Sequence, residues 1–333
     1  MAACITPATA LAVPPLVEDS AGSGAGTPLR MVVVGDSVMW GQGLSESHKS
    51  SKIVQTWLAN KLSTRVVRTV HAHSGAQIRS QAEHGGIFHG EIPSALPTVG
   101  AEIDDVDRPG EVNVLVLNGC INDLPSDALL GGPLNVAQLA ARASEKCYLP
   151  VKGLLERAIA RFPKAIVIFV GYYPLFTQNP LPGTNTLEQL QRLWCENGCG
   201  GINVDLKTRS RAFYDSSNTA IGRAVREVSI MHPTRRIKFA QWPYSESGGY
   251  GSGVSQLWSL SDQDEIQLDR IQDCAKAFLQ TRSWKHATLC DKAAVLHPNV
   301  RGAQIIANVI EAAMSPHLLL LQLRLKVRNL GVL

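Results

Sequence analysis

Four short segments of the chain carry the residue types that acyl transfer requires. Gly35-Asp36-Ser37 offers a hydroxyl, and His71-Ala72-His73-Ser74-Gly75 offers two imidazoles and a glycine. Asn118-Gly119-Cys120-Ile121-Asn122-Asp123 offers two carboxamides, and His297-Pro298-Asn299 supplies an imidazole near the C-terminus. A serine hydroxyl at its ordinary pKa is a poor nucleophile and needs an adjacent base such as histidine. The oxyanion that forms in acyl transfer needs fixed donors, which backbone N–H groups at a helix start and an asparagine amide supply without adding a titrating group. Each segment alone has a structural explanation: Gly-Asp-Ser as a turn and helix cap, Asn-Asp as turn chemistry, a histidine before proline as packing. The joint occurrence of all the needed groups, in separate loops, is what points to acyl transfer.

The elements that must position these groups can be read from hydrophobic patterning. Aliphatic runs at Leu29 to Val34, Arg65 to His71, Val112 to Leu117 and Ala165 to Val170, and a weaker one at Arg236 to Gln241, predict strands. Apolar residues at helical spacing predict helices over Lys52 to Leu62, Val151 to Arg161, Leu206 to Val228 and Val300 to Met314. Continuous aliphatic strands alternating with helices predict a parallel sheet covered on both faces, with right-handed crossovers. In such a sheet reactive groups gather at the carboxyl ends of the strands, where all of these segments fall. Residues 1–28 are expected to be a disordered leader and linker, 29–316 one domain, and 317–333 a C-terminal tail. Long loop-like insertions near 171–201 and 243–262 are expected to shape a substrate site or lid.

The order of these segments resembles the SGNH/GDSL hydrolase superfamily of serine esterases and lipases. The resemblance spans roughly residues 31 to 314, and Val34-Gly-Asp-Ser37-Val-Met-Trp-Gly-Gln-Gly-Leu44 is its most specific piece. It implies a flavodoxin-like three-layer α/β/α sandwich with about five parallel strands. It implies Ser37 as nucleophile, His297 as base, and an oxyanion hole built from the Ser37 and Gly75 N–H groups and the Asn122 side chain, with Asn118 as the fallback for the last. Two departures stand out. Cys120 occupies the position where the family has glycine, and Ala294 the position three before the histidine where it has aspartate. The nearest carboxylate is Asp291, six residues before His297, which would complete a triad; otherwise a Ser-His dyad would have its tautomer held by a backbone carbonyl. The resemblance implies hydrolysis of a lipid, short-chain acyl or acetyl ester with no cofactor or metal. An acyltransferase using the same site and a binding protein with a degraded site are the alternatives.

Bulk properties narrow the other classes. Of 333 residues 45% are hydrophobic and 18% charged, enough for a large core and unlike a disordered chain. A net charge of +4 without a dense Lys/Arg run gives no reason to expect nucleic-acid binding. The stretch Arg324 to Arg328 reads as a solvated tail. No run of 18 apolar residues predicts a transmembrane helix, and the N-terminal stretch lacks the positive region of a secretory signal. Six cysteines beyond Cys4 fit three disulfides or six thiols, with Cys195 and Cys199 a plausible small loop. His71 and His73 point the same way on a strand but lack a third metal ligand. Trp40, Tyr172, Tyr173 and Phe176 are candidates for an acyl pocket or for core packing.

Overall fold

The computed structural model describes residues 17–24, 26–78, 98–179, 204–250, 252–259 and 294–329. Strand β2 (Leu29–Val34) is aliphatic after Arg30 and buried along its whole length, so it can only be a central strand. It runs parallel to β3 (Val66–Val70) on one side and β4 (Val112–Leu117) on the other. Parallel pairing continues through β5 (Ile166–Val170) to β6 (Arg236–Ala240), which leaves Lys238 exposed as an outer strand does. The five strands expected from the aliphatic runs are therefore all present, in the order β3-β2-β4-β5-β6. This is the flavodoxin-like doubly wound order, whose chain direction reverses between β2 and β4.

The helices follow from that order. Helix α1 (Ser37–Trp40) is a single turn, α2 (Ser50–Leu62) links β2 to β3, and α3 (Val99–Asp104) precedes β4. Beyond β4 come the short α4 (Ser126–Leu130) and the long α5 (Val136–Arg161), and α6 (Leu206–Met231) links β5 to β6. Helices α7 (Val300–Met314) and α8 (Leu318–Asn329) end the described chain. Helix α7 packs on α2 and against β5 and β6, whereas α3 and α6 pack on α5. Right-handed crossovers put these two groups on opposite faces of the sheet, giving three layers.

Two elements depart from expectation, each for a physical reason. Helix α5 starts at Val136, well before the expected Val151, and continues through Pro150. Asn135 and Gln138 close a reciprocal capping box at its start, and burial of Leu139, Ala143 and Cys147 carries the helix across the proline. The stretch expected to be a linker from residue 18 begins instead as strand β1 (Val17–Ala21), antiparallel to β3 at the sheet's edge. Asp19 on β1 pairs with the fully buried Arg68 at 3.0 Å and also with Lys52. Arg68 further bonds Ser51 Oγ at 2.7 Å and pairs with Glu46. A guanidinium out of water needs such partners, and β1 supplies one of the two carboxylates that compensate Arg68. The C-terminal tail, whose Leu318–Leu321 run reads as the start of a terminal helix, is helical over Leu318–Asn329. Among the described residues, the helical stretch Val300–Arg328 is long and apolar enough to cross a membrane by length and composition, containing an 18-residue window of mean hydropathy 1.3. That qualifies the expectation of no such segment, although α7 buries Ile306, Ala307, Ile310 and Met314 in the core.

Cys120 and Cys147 form a disulfide joining the loop after β4 to α5. Cys195 and Cys199, and most of the 171–201 insertion, lie outside the described residues, whereas most of the 243–262 insertion lies within them.

The β1 anchor gives a first prediction. Asp19→Ala leaves Arg68 short of a partner and should cost about 1–3 kcal/mol in urea denaturation. It should also speed hydrogen exchange at the β1 amides. Unchanged stability and exchange would show that β1 is held by its backbone ladder alone.

Candidate active site

The turn after β2 is built around Gly35, whose φ of 133° is closed to residues with a side chain. A Cβ there would sit 2.1 Å from Asn118 Oδ1, so the position demands glycine twice over. Asp36 caps the single-turn helix α1, its carboxylate accepting from the Val38 N–H at 2.9 Å. Ser37 is the first residue of that helix. At the far end of the chain, Asn299 caps α7 by accepting from the Gly302 N–H at 3.1 Å. Pro298 and the bridge between Leu257 and Pro298 fix the approach, so His297 lies half-buried just before the cap. The outcome is a 2.8 Å contact between Ser37 Oγ and His297 Nε2, bridging 260 positions of sequence.

The other imidazole nitrogen, His297 Nδ1, lies 3.3 Å from the Val295 carbonyl oxygen. Asp291 lies outside the described residues. Ala294, at the position where the sequence resemblance expects aspartate, packs with Leu44, Trp258 and Ala303. A Cβ on Gly43 would come within 2.3 Å of Ala294 Cβ, so this pocket is closed around an alanine.

Two further loops meet the nucleophile turn. Gly75 sits in a turn directly after the β3 end, where the His73 N–H donates to Gly35 O at 2.9 Å. The loop after β4 carries Asn122, whose Nδ2 donates to Ala76 O at 3.0 Å. Gln77 Nε2 returns a bond to Asn122 O at 2.8 Å, and the Ile78 N–H donates to Asp123 at 3.0 Å. The Gly75 and Asn122 loops are thus laced together. Asn118, the fallback for Asn122, is fully buried and faces Asp36, accepting from its N–H at 3.0 Å and donating to its carboxylate at 2.7 Å. It braces the turn. Cys120 adopts a φ of 111°, the glycine-like conformation implied by the family pattern, with its side chain held in the disulfide. Such a conformation costs a residue with a Cβ about 1–3 kcal/mol.

The remaining candidates resolve into supporting roles. Trp40 is buried beneath the Lys49 ammonium, which lies 3.5 Å from its ring centroid. Tyr172, Tyr173 and Phe176 are all core residues. Tyr173 donates to Leu296 O at 3.1 Å, next to His297. Tyr172 donates to Asp36 Oδ2 at 2.6 Å, a bond over 136 positions that no sequence signal reveals beyond its place after β5. Glu102 of α3 was equally hidden. Its buried carboxyl accepts from the Gly35 N–H at 2.6 Å and meets His73 Nδ1 at 3.2 Å. Burial pushes Glu102 well above the usual carboxylate range and His73 below the usual histidine range, so burial disfavours the ionised form of each. Burial likewise raises Asp36, against hydrogen bonds from Tyr172, Asn118 and Val38 that hold it down.

No protein-family model and no curated protein matches the chain in sequence. Among solved structures it is similar to an extracellular lipase from Streptomyces rimosus, at 14% identity over 86% of this chain and 99% of that one, with a TM-score of 0.49. It is similar to phospholipase A1 from Streptomyces albidoflavus NA297, at 13% identity over 86% and 100% of the two chains, with a TM-score of 0.49. It is also similar to a family two carbohydrate esterase from Clostridium thermocellum in complex with cellohexaose, at 14% identity over 89% and 67%, with a TM-score of 0.44.

His71, beside this site, sets a pH dependence of stability. Burial, then His73, lowers its pKa from 6.5 to about 4, with Arg30 adding to the effect and Asp107 opposing it. Above pH 6.5 the ring is neutral in folded and unfolded chains alike and contributes nothing. As pH falls from 6.5 to about 4 the unfolded chain takes up the proton first, so stability declines across that window. The loss at the acid end is on the order of 3 kcal/mol. Denaturation midpoints between these pH values should flatten in His71→Gln, and an unchanged slope would place the acid sensitivity elsewhere.

The doubly wound sheet order gives the chain a three-layer α/β/α fold, with the Gly-Asp-Ser turn and the Asn-Asp loop at the strand ends flanking its switch point.

Proposed function

We propose that the chain is a serine carboxylic-ester hydrolase in which Ser37 is the nucleophile and His297 the general base. The observation that carries this reading is the 2.8 Å contact between Ser37 Oγ and His297 Nε2, within the distance at which a proton can pass. Ser37 Oγ attacks the ester carbonyl while His297 Nε2 accepts its proton. The tetrahedral oxyanion is met by the Ser37 and Gly75 N–H groups and the Asn122 amide. A carboxamide nitrogen has two N–H donors, and with one on Ala76 O the other is left for the oxyanion. Collapse breaks the C–O bond, and His297 returns the proton to the leaving alcohol. Water then repeats the sequence on the acyl-enzyme, with the same histidine as base. Candidate substrates are lipid, short-chain acyl and acetyl esters.

We assign the task of holding the His297 tautomer to the Val295 carbonyl, 3.3 Å from Nδ1. A carbonyl at that position favours the N–H on Nδ1 and leaves the Nε2 lone pair for Ser37. The apolar packing of Ala294 also supports a second reading, a binding protein on this fold with a degraded site. One experiment separates the two. A fluorophosphonate probe should label the intact protein and not Ser37→Ala, and p-nitrophenyl ester hydrolysis should fall at least about 10³-fold in that variant. Labelling or hydrolysis that survives Ser37→Ala contradicts the hydrolase, and an intact protein that neither labels nor hydrolyses supports the binding protein.

The carboxylate question has its own test. With the Val295 carbonyl as the orienting group, Asp291→Asn should keep kcat within about tenfold of the original. A loss nearer about 10⁴-fold, the scale seen when a triad loses its carboxylate, would assign that role to Asp291.

A further inference from the structure

We propose that Tyr172 is a positioning residue for this site, its hydroxyl coupling the turn that carries Ser37 to the loop that carries Asn122. The inference rests on the hydrolase reading above and deepens it. Tyr172 is fully buried, and its phenol oxygen makes two bonds. It donates to Asp36 Oδ2 at 2.6 Å and accepts from the Ile121 N–H at 3.1 Å. Asp36 immediately precedes the nucleophile, and Ile121 immediately precedes Asn122. One oxygen atom therefore spans the two segments whose separation fixes where an oxyanion would sit relative to the attacking hydroxyl.

The direction of these bonds is determined. A backbone N–H can only donate, so the phenol accepts from Ile121 and its single proton is free for the carboxylate. Burial and the neighbouring Asp36 keep the phenol protonated by pushing its pKa well up. The strut is itself anchored. The Tyr172 N–H donates to Asn218 Oδ1 at 3.1 Å, and Asn218 Nδ2 donates to Tyr172 O at 2.9 Å, tying the residue to α6. The ring packs on Phe213 with centroids 5.8 Å apart. A phenylalanine would satisfy all of that packing. Only a tyrosine can also join the two loops.

Asp36 extends the coupling. Its other oxygen takes bonds from Asn118 Nδ2 and the Val38 N–H, so the carboxylate gathers the nucleophile turn, the β4 end and Tyr172 at one point. Donors fixed in advance lower the barrier because they need not reorganise as charge develops, and the benefit falls on the transition state rather than on substrate binding. Tyr172→Phe should thus act on kcat and leave KM alone.

The test compares the full-length protein with Tyr172→Phe, Asp36→Asn and the double variant, on a p-nitrophenyl ester, with Ser37→Ala alongside. We expect kcat in Tyr172→Phe to fall between about 10-fold and 100-fold, with KM within about twofold. In the Asp36→Asn background the same change should cost much less, because the bond it removes is already impaired. The rate of fluorophosphonate labelling should fall in parallel with kcat. Three results overturn the proposal: an unchanged kcat, a raised KM with kcat intact, or fully additive losses in the double variant. Should Tyr172→Phe fail to fold, Asp36→Asn reads the same bond from its other end, with a kcat loss at constant KM supporting the coupling and an unmoved kcat contradicting it. Activity that persists in Ser37→Ala would sink the hydrolase reading instead, so the two failures are distinguishable.

Discussion

The 2.8 Å contact between Ser37 Oγ and His297 Nε2 is the constraint to which the rest of the architecture answers. It joins the turn after β2 to the segment before α7, 260 positions away in sequence. Ser37 is set by β2 ending at Gly35, with α1 capped by Asp36. His297 is set by the cap on α7, a helix that reaches the site because it packs against α2, β5 and β6. The sheet order brings the turn after β2 and the loop after β4 to either side of the point where the winding reverses, the place where doubly wound sheets open a crevice.

Below that contact lies a buried polar layer with little conventional charge pairing. Asp36 has no salt bridge among the described residues and is satisfied by an amide, a phenol and a backbone N–H. Glu102 meets His73 with one carboxyl oxygen and takes up the Gly35 N–H with the other. Satisfied networks of this kind are rigid because loss of any member leaves another buried group unpaired. The Cys120–Cys147 disulfide works in the same direction. It closes a loop of 27 residues, which constrains the unfolded chain by roughly 3–4 kcal/mol and offsets the conformational cost of the glycine-like backbone at Cys120.

The sequence made the parallel sheet legible because its central strands are uninterrupted aliphatic runs. Leu29–Val34 and Val112–Leu117 were expected with the boundaries they have. Strand β1 was not legible, since Glu18, Asp19 and Ser20 look like linker residues until the buried Arg68 is seen across the ladder. The first half of α5 was obscured by Pro150 and a polar composition, and is stabilised by a capping box and by long-range packing. At the site, Ser37 and His297 stood out because glycine, proline and capping residues frame them locally, and Gly75 and Asn122 by their place after strand ends. Tyr172 and Glu102 could not be found this way. Their relevance lies in bonds across 136 and 67 positions, to Asp36 and Gly35, which only the folded chain brings together.

The most direct measurement of the central claim is to trap the acyl-enzyme. Rapid acid quench during turnover of an activated ester, followed by intact mass and peptide mapping, reads both the adduct and its location. The account predicts one acyl group per chain, carried on the peptide containing Ser37. Turnover with no covalent adduct, or with the acyl group on a different residue, would contradict it.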